Sequence, residues 1–147
     1  MEHELFFDGT VKKYSWAIKN ESKTIHQKRD HPPAYLSGGK LDVKNNEESK
    51  FIALHVGIYW GLGVFIIRDL DTVDVMCDSK EMHDILVSKC QTDNQIINDK
   101  IYFINQLATQ RNLELNYHVI ELVENIATKN LYAKDENSVS SNSRGFV

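Results

Sequence analysis

The run from Glu4 to Asp8 is short and apolar and ends at Asp8-Gly9, the pattern of a strand entering a turn, with Gly9 free to take a positive φ. Tyr14, Trp16 and Ile18 alternate with Ser15, Ala17 and Lys19. Asn20 to Lys23 then turns the chain into Thr24 to Arg29, which predicts an antiparallel pair. Asp30 to Lys44 holds both prolines and the Gly38-Gly39 pair and reads as a loop. From an N-cap at Asn45 or Asn46, the residues Phe51, Leu54, Ile58 and Leu62 recur at helical spacing until Gly61 or Gly63 stops them. Val73, Val75 and Cys77 alternate in a strand over 71–77, and Asp78-Ser79 ends it and can cap a helix carrying Met82, Ile85 and Leu86. Asn94 to Arg111 places Ile97, Ile101, Ile104 and Leu107 on one helical face. Leu113 to Ile120 alternates as a strand, and Glu121 to Lys134 reads as a last helix.

Three strands, a helix, a strand, two helices, a strand and a helix predict one α/β domain over 1–134, a five-stranded mixed sheet flanked by about four helices. Residues 135–147 are small and polar and read as a disordered tail. A formal charge of -4, from 17 basic and 21 acidic side chains, excludes attachment to nucleic acid or an acidic membrane by bulk electrostatics, so any anion site must be local. The longest apolar run, Phe51 to Ile67, is broken by His55 and by Gly57, Gly61 and Gly63, which predicts no membrane span. With acids at the N-terminus where a signal peptide needs bases, the expected location is the cytoplasm. Cys77 and Cys90 both read as buried small hydrophobes.

The element order, with four local segments, resembles type 1 ribonuclease H, in particular its reverse-transcriptase-like group. The first strand closes in FFDGT and the central strand in VDVMCDS, so that Asp8 and Asp78 match two of the family's acids. NNEESKFIALHVGI is similar to the family's first helix through Asn45, Asn46, Ala53 and Gly57, with Lys50 at the glutamate position. HVIELVENIATKNLYAK is similar to its C-terminal segment through His118, Val119, Glu124, Asn125 and Leu131, with Lys129 at the aspartate position. The glycine- and proline-bearing turn that the family places after strand one is replaced by Thr10-Val11-Lys12-Lys13.

The resemblance implies a ribonuclease H-like fold. It also implies a site where four carboxylates hold two magnesium ions for phosphodiester hydrolysis. Here Lys50 and Lys129 stand against Asp8 and Asp78, so the expectation is a self-neutralised site that takes no metal and a catalytically impaired protein that binds RNA/DNA hybrid or duplex RNA. The alternatives are lysines that merely point to solvent, a divergent ribonuclease that uses magnesium or manganese at Asp8 and Asp78 with Glu47 as replacement ligand, and a protein-binding adaptor or homodimer on the same scaffold. Lys12, Lys13, Asn46, Lys50, Asn125 and Lys129 are the expected nucleic-acid contacts, with Tyr14 as a further candidate. Lys12, Lys13, Lys19, Lys23, Lys28 and Arg29 form the densest basic footprint. His118 is read either as a proton carrier or as a strand histidine with satisfied hydrogen bonds, and His26, Asp30 and His31 as a solvated cluster rather than a metal site. Tyr59, Trp60 and Phe65 offer a stacking platform for bases as one alternative, but aromatic residues at helical spacing are usually core, and they are read as packing or a dimer contact.

Overall fold

The computed structural model describes residues 1–36, 39 and 42–133; the predicted tail at 135–147 lies outside them. The chain order is β1 (Glu2–Gly9), β2 (Lys13–Lys19), β3 (Thr24–Asp30), α1 (Asn46–Gly63), β4 (Thr72–Cys77), α2 (Lys80–Ser88), α3 (Gln95–Arg111), β5 (Glu114–Val119) and α4 (Ile126–Tyr132). The strands lie side by side as β3-β2-β1-β4-β5. β1 pairs antiparallel with β2 and β2 with β3, whereas β1 with β4 and β4 with β5 are parallel. This is the five-stranded mixed sheet with four helices that the sequence pattern predicts.

β1 is apolar in succession because both of its faces are covered. Leu5 and Phe7 join Trp16, Ile18, Phe51, Leu54, Ile58, Val73 and Val75 in the larger core under α1, while Phe6 meets Ala17 and Ala127 on the side of α4. α1 begins where the Asn45 side chain accepts the Glu48 amide at 2.9 Å, so Asn45 is the cap and Asn46 the first helical residue. It lies close on the sheet because residue 57 is glycine: a Cβ there would stand 3.1 Å from Trp16 Cγ. Among the described residues no helix is long and apolar enough to cross a membrane.

Four expectations change. The single helix predicted over 121–134 is divided: Leu122–Glu124 forms a 3-10 turn closed by Glu121 and Glu124, and Asn125 restarts the chain as the cap of α4 by accepting the Ala127 amide at 3.0 Å. Cys90 is exposed, because Lys89 ends α2 in the left-handed conformation (φ 57°) and the chain leaves the core there; Cys77 is buried as expected. His31 is 3% exposed rather than solvated: its ring stacks between Tyr14 (4.7 Å) and Tyr35 (6.1 Å), and its Nε2 lies 2.8 Å from Ser49 Oγ. Trp60 packs on Trp16 at 5.7 Å, but Tyr59 and Phe65 are exposed rather than core.

Candidate functional site at the carboxyl ends of β1 and β4

Parallel neighbours in an α/β sheet present their carboxyl ends at one edge, where ligands of such folds commonly bind. β1 and β4 are in register through Phe6 and Met76, and two further residues along each strand place Asp8 beside Asp78. α1 starts against the same edge. Gly9 permits this, because a Cβ at position 9 would lie 2.2 Å from Ser49 Oγ and 2.8 Å from Ser49 Cβ. Gly9 therefore serves close approach within β1 rather than the positive φ expected of it.

One turn into α1, Lys50 reaches between the two aspartates. Its Nζ is 3.0 Å from Asp78 Oδ1 and 3.8 Å from Asp8 Oδ1, with the lysine side chain 20% exposed and the aspartates 2% and 9%. The remaining oxygens are also occupied. Asp8 Oδ1 accepts the Gly9 amide at 2.8 Å, Asp8 Oδ2 accepts Thr128 Oγ1 at 2.6 Å, and Asp78 Oδ2 accepts Asn125 Nδ2 at 2.9 Å. Every carboxylate oxygen of the pair thus has a donor from the chain itself, which is how buried like charges become tolerable.

Asp8, Asp78, Lys50 and Asn125 come together, and Lys129 does not. Thr128, not Lys129, is the residue of α4 turned towards Asp8; the next position is about 100° further round the helix and carries Lys129 into solvent. The cluster therefore sums to about -1, two aspartates against one lysine, instead of neutrality. Thr128 was legible only with the helix start in hand: once Asn125 is the cap, the inward turn of α4 is Ala127, Thr128 and Leu131. Asn125 is itself 1% exposed and tied to Phe7 O at 3.0 Å, so it locks β1 to α4 and faces no external ligand.

Glu47 turns to α2. Its carboxyl lies against Glu81, and burial followed by that neighbour raises its pKa, while Lys50 works in the opposite direction. His118 stays on β5, its Nε2 3.0 Å from Asp74 Oδ1; burial would raise the Asp74 pKa, but His118 and its other hydrogen-bond partners hold it below the ordinary value. Among the described residues no group of three or more His, Cys, Asp or Glu side chains is placed to hold a metal ion.

The basic footprint of the first thirty residues is scattered. Lys19 and Lys23 lie at the opposite end of the sheet, as the pairing of Lys19 with Glu4 and Thr24 requires; Lys28 donates to Ala133 O at 2.9 Å, and Arg29 lies 5.2 Å over the Trp16 ring. Lys12 and Lys13 remain at the Asp8 end, where Thr10 Oγ1 accepts both of their amides at 3.2 Å. Beside them a surface cavity of about 890 Å³ has Lys12, Lys44 and His31 in its wall. Asn46 is exposed at the same end, whereas Tyr14 is buried in its stack and is withdrawn as a contact.

Comparison with known proteins shows the fold. The structure is similar to ribonuclease H1 of the halophilic archaeon Halobacterium salinarum, with a TM-score of 0.68, 12% identity, and 89% of this chain and 94% of that one covered. It is similar to the N-terminal ribonuclease H domain of a Mycobacterium tuberculosis protein solved as a maltose-binding-protein fusion (TM-score 0.67, 14% identity, 89% and 95% covered). A third similar structure is LC11 ribonuclease H1, isolated from compost by metagenomics and also solved in complex with RNA/DNA hybrid (TM-score 0.64, 14% identity, 87% and 91% covered). No family model and no curated protein matches the sequence. The chain has a ribonuclease H-like fold.

Proposed function

We propose that this chain is a catalytically impaired ribonuclease H-like protein that binds RNA/DNA hybrid or duplex RNA at the carboxyl ends of β1 and β4 without a divalent ion. The observation that carries the reading is Lys50, whose ammonium stands between Asp8 and Asp78 at 3.8 and 3.0 Å. The residues present do not fit a pair of magnesium or manganese ions. Two carboxylates converge rather than four, and each of their oxygens is already taken by the chain. Lys50 supplies the positive charge that two neighbouring aspartates require, and an ammonium polarises no water for attack.

The hybrid-bound LC11 enzyme supports the ligand class. The contacts we assign on this chain are Lys12, Lys13, Asn46 and Lys129, all at the Asp8 end, with Lys129 acting as a phosphate contact because it faces solvent. The test is fluorescence anisotropy with a blunt RNA/DNA hybrid across a salt series, together with incubation of end-labelled hybrid in magnesium and then manganese. Binding that weakens as salt rises, with no cleavage, is expected. Cleavage that disappears in Asp8→Asn overturns the impaired-enzyme reading, and absence of salt-sensitive binding overturns the nucleic-acid reading in favour of a protein-binding scaffold.

A further inference from the structure

The two edge strands of the sheet are protected unequally. β3 carries Lys28 and Arg29, its Gln27 carbonyl accepts Asn130 Nδ2 at 3.2 Å, and the end of α4 lies beside it, where Lys28 Nζ donates to Ala133 O at 2.9 Å. β5 has none of these guards. Glu114–Val119 contains no lysine, arginine, proline or glycine, and it pairs residue for residue with Thr72–Cys77 without a bulge. The Glu114 amide bonds to Asp71 O at 3.0 Å and the Ile120 amide to Cys77 O at 2.8 Å, so the even-numbered residues turn their backbone groups towards β4. The N–H and C=O groups of Leu115, Tyr117 and Val119 therefore line the open edge, and none of them meets a partner among the described residues.

The two faces beside that edge specify the strand that extends the sheet. On the helical side Leu115 and Tyr117 are half-buried and Val119 and Val87 exposed, and a surface cavity of about 570 Å³ runs between β5 and the ends of α2 and α3, with Val87, Ala108, Leu115 and Tyr117 in its wall. On the other side Glu114 and His118 are exposed with Asn116 between them, its Nδ2 3.3 Å from Glu114 Oε2. His118 holds Asp74 through Nε2, and its Nδ1 has no partner among the described residues. A strand that fits presents apolar side chains to the helical side and, on the other, an acid opposite His118 and a base opposite Glu114. β5 itself carries that pattern in reverse. Antiparallel pairing with a second β5 about Asn116 sets Leu115 against Tyr117 and Glu114 against His118, each pair repeated by the two-fold axis. Leu115 and Tyr117, whose backbone groups face outwards, are then the residues that exchange hydrogen bonds across the seam. The remaining acids of the polar face, Glu2, Glu4 and Asp74, sit one or two strands back from it.

We infer that β5 is the seam of a homodimer in which two copies of the five-stranded sheet join edge to edge into one continuous sheet. The inference is independent of the proposed nucleic-acid binding. Because β1, β4 and β5 run parallel and the second copy is reversed, the two Asp8 ends point in opposite directions and the seam covers neither. A seam of this length stands at the weak end of specific interfaces, which sets a dissociation constant of about 10–100 μM.

Sedimentation equilibrium of the full chain from about 1 to about 500 μM is expected to show a mass that rises from one copy to two. Glu114→Lys, at an exposed position, sets a lysine against His118 and is expected to weaken association about tenfold. Adding His118→Glu reverses the pair and is expected to restore the affinity to within about twofold, with circular dichroism spectra confirming that each variant is folded. Asn116→Cys in a Cys90→Ser background is expected to form a disulfide-linked dimer on mild oxidation, since the two-fold axis sets residue 116 against its own copy at about 4.5 Å between Cα atoms. Ser22→Cys, exposed at the β2–β3 turn, stays unlinked in the same background. A chain that remains monomeric throughout overturns the dimer and leaves the β5 edge to a strand of another protein. A dimer indifferent to Glu114→Lys and without the residue-116 disulfide overturns the seam; one lost instead in Tyr59→Ser with Tyr102→Ser assigns the contact to the outward face of α1 and α3. Linkage through Tyr117→Cys in place of Asn116→Cys overturns the pairing of Glu114 with His118.

Discussion

Replacing Lys50 by methionine keeps the aliphatic stem and removes the ammonium, leaving Asp8 and Asp78 side by side without their shared cation. At an effective dielectric of about 20, contacts of 3.0 and 3.8 Å correspond to gross attractions of about 5.5 and 4.4 kcal/mol. Most of this is offset by the cost of taking the three groups out of water. Removing one partner of a fully buried pair costs about 3–5 kcal/mol, and the 20% exposure of the lysine side chain brings the expectation here to about 2–3 kcal/mol. For a domain of this size that is a fall in Tm of about 6–9 °C, measured by calorimetry or circular dichroism. Lys50→Met should also respond to magnesium more strongly than the wild-type protein does. A dissociation constant of about 1 mM would return about 1.4 kcal/mol in 10 mM magnesium. In a double-mutant cycle with Asp78→Asn, the two substitutions should couple by at least about 1 kcal/mol. A variant that melts within about 1 °C of wild type, with an additive cycle and no response to magnesium, would show that Lys50 does not neutralise the pair, and the metal-free reading would fall with it.

Gly9→Ala is expected to destabilise the fold by about 3 kcal/mol or more in urea unfolding, and Ser49→Ala should not rescue it, because Ser49 Cβ and carbonyl carbon are themselves 2.8 and 2.9 Å from the new methyl. His55 has a folded pKa lowered to about 4 by burial and then by Lys100, so the unfolded chain binds the proton more tightly and stability falls as pH drops from about 6.5 to about 4. Discounted for partial exposure, its share of that loss is about 1–2 kcal/mol, and it should vanish from the pH–stability curve of His55→Phe; an unchanged curve refutes it. Iodoacetamide should label one cysteine, Cys90, in the native protein and two after denaturation, because Cys77 is buried with its thiol pushed up to about 12, first by burial and then by Asp78. Rapid native labelling of Cys77 would contradict that burial.

The order of elements was legible because each segment announces its own period: alternation in Tyr14 to Lys19, a helical stripe from Phe51 to Leu62, and strand-end Asp-Gly and Asp-Ser steps at 8–9 and 78–79. The division of the last helix was not. Local pattern reads Glu121 to Lys134 as continuous, and only the pull of Asn125 towards Phe7 O and Asp78 Oδ2 decides that the helix restarts there. The same restart selects Thr128 over Lys129 as the residue that meets Asp8, a difference of one position that a periodic pattern cannot resolve.

The sequence by itself determined the αβ order, the two aspartates at strand ends and a lysine on the first turns of α1, all of which depend on neighbours within a few residues of one another. The tertiary structure decided what those residues do to each other. The parallel register of β1 with β4 brings Asp8 beside Asp78 although they are seventy positions apart in sequence, and the close seat of α1 at Gly9 lets Lys50 reach both. It also decided that Tyr59, Tyr102 and Phe103 face outwards, since a helical stripe shows that two faces exist and only the packing partner shows which of them is covered.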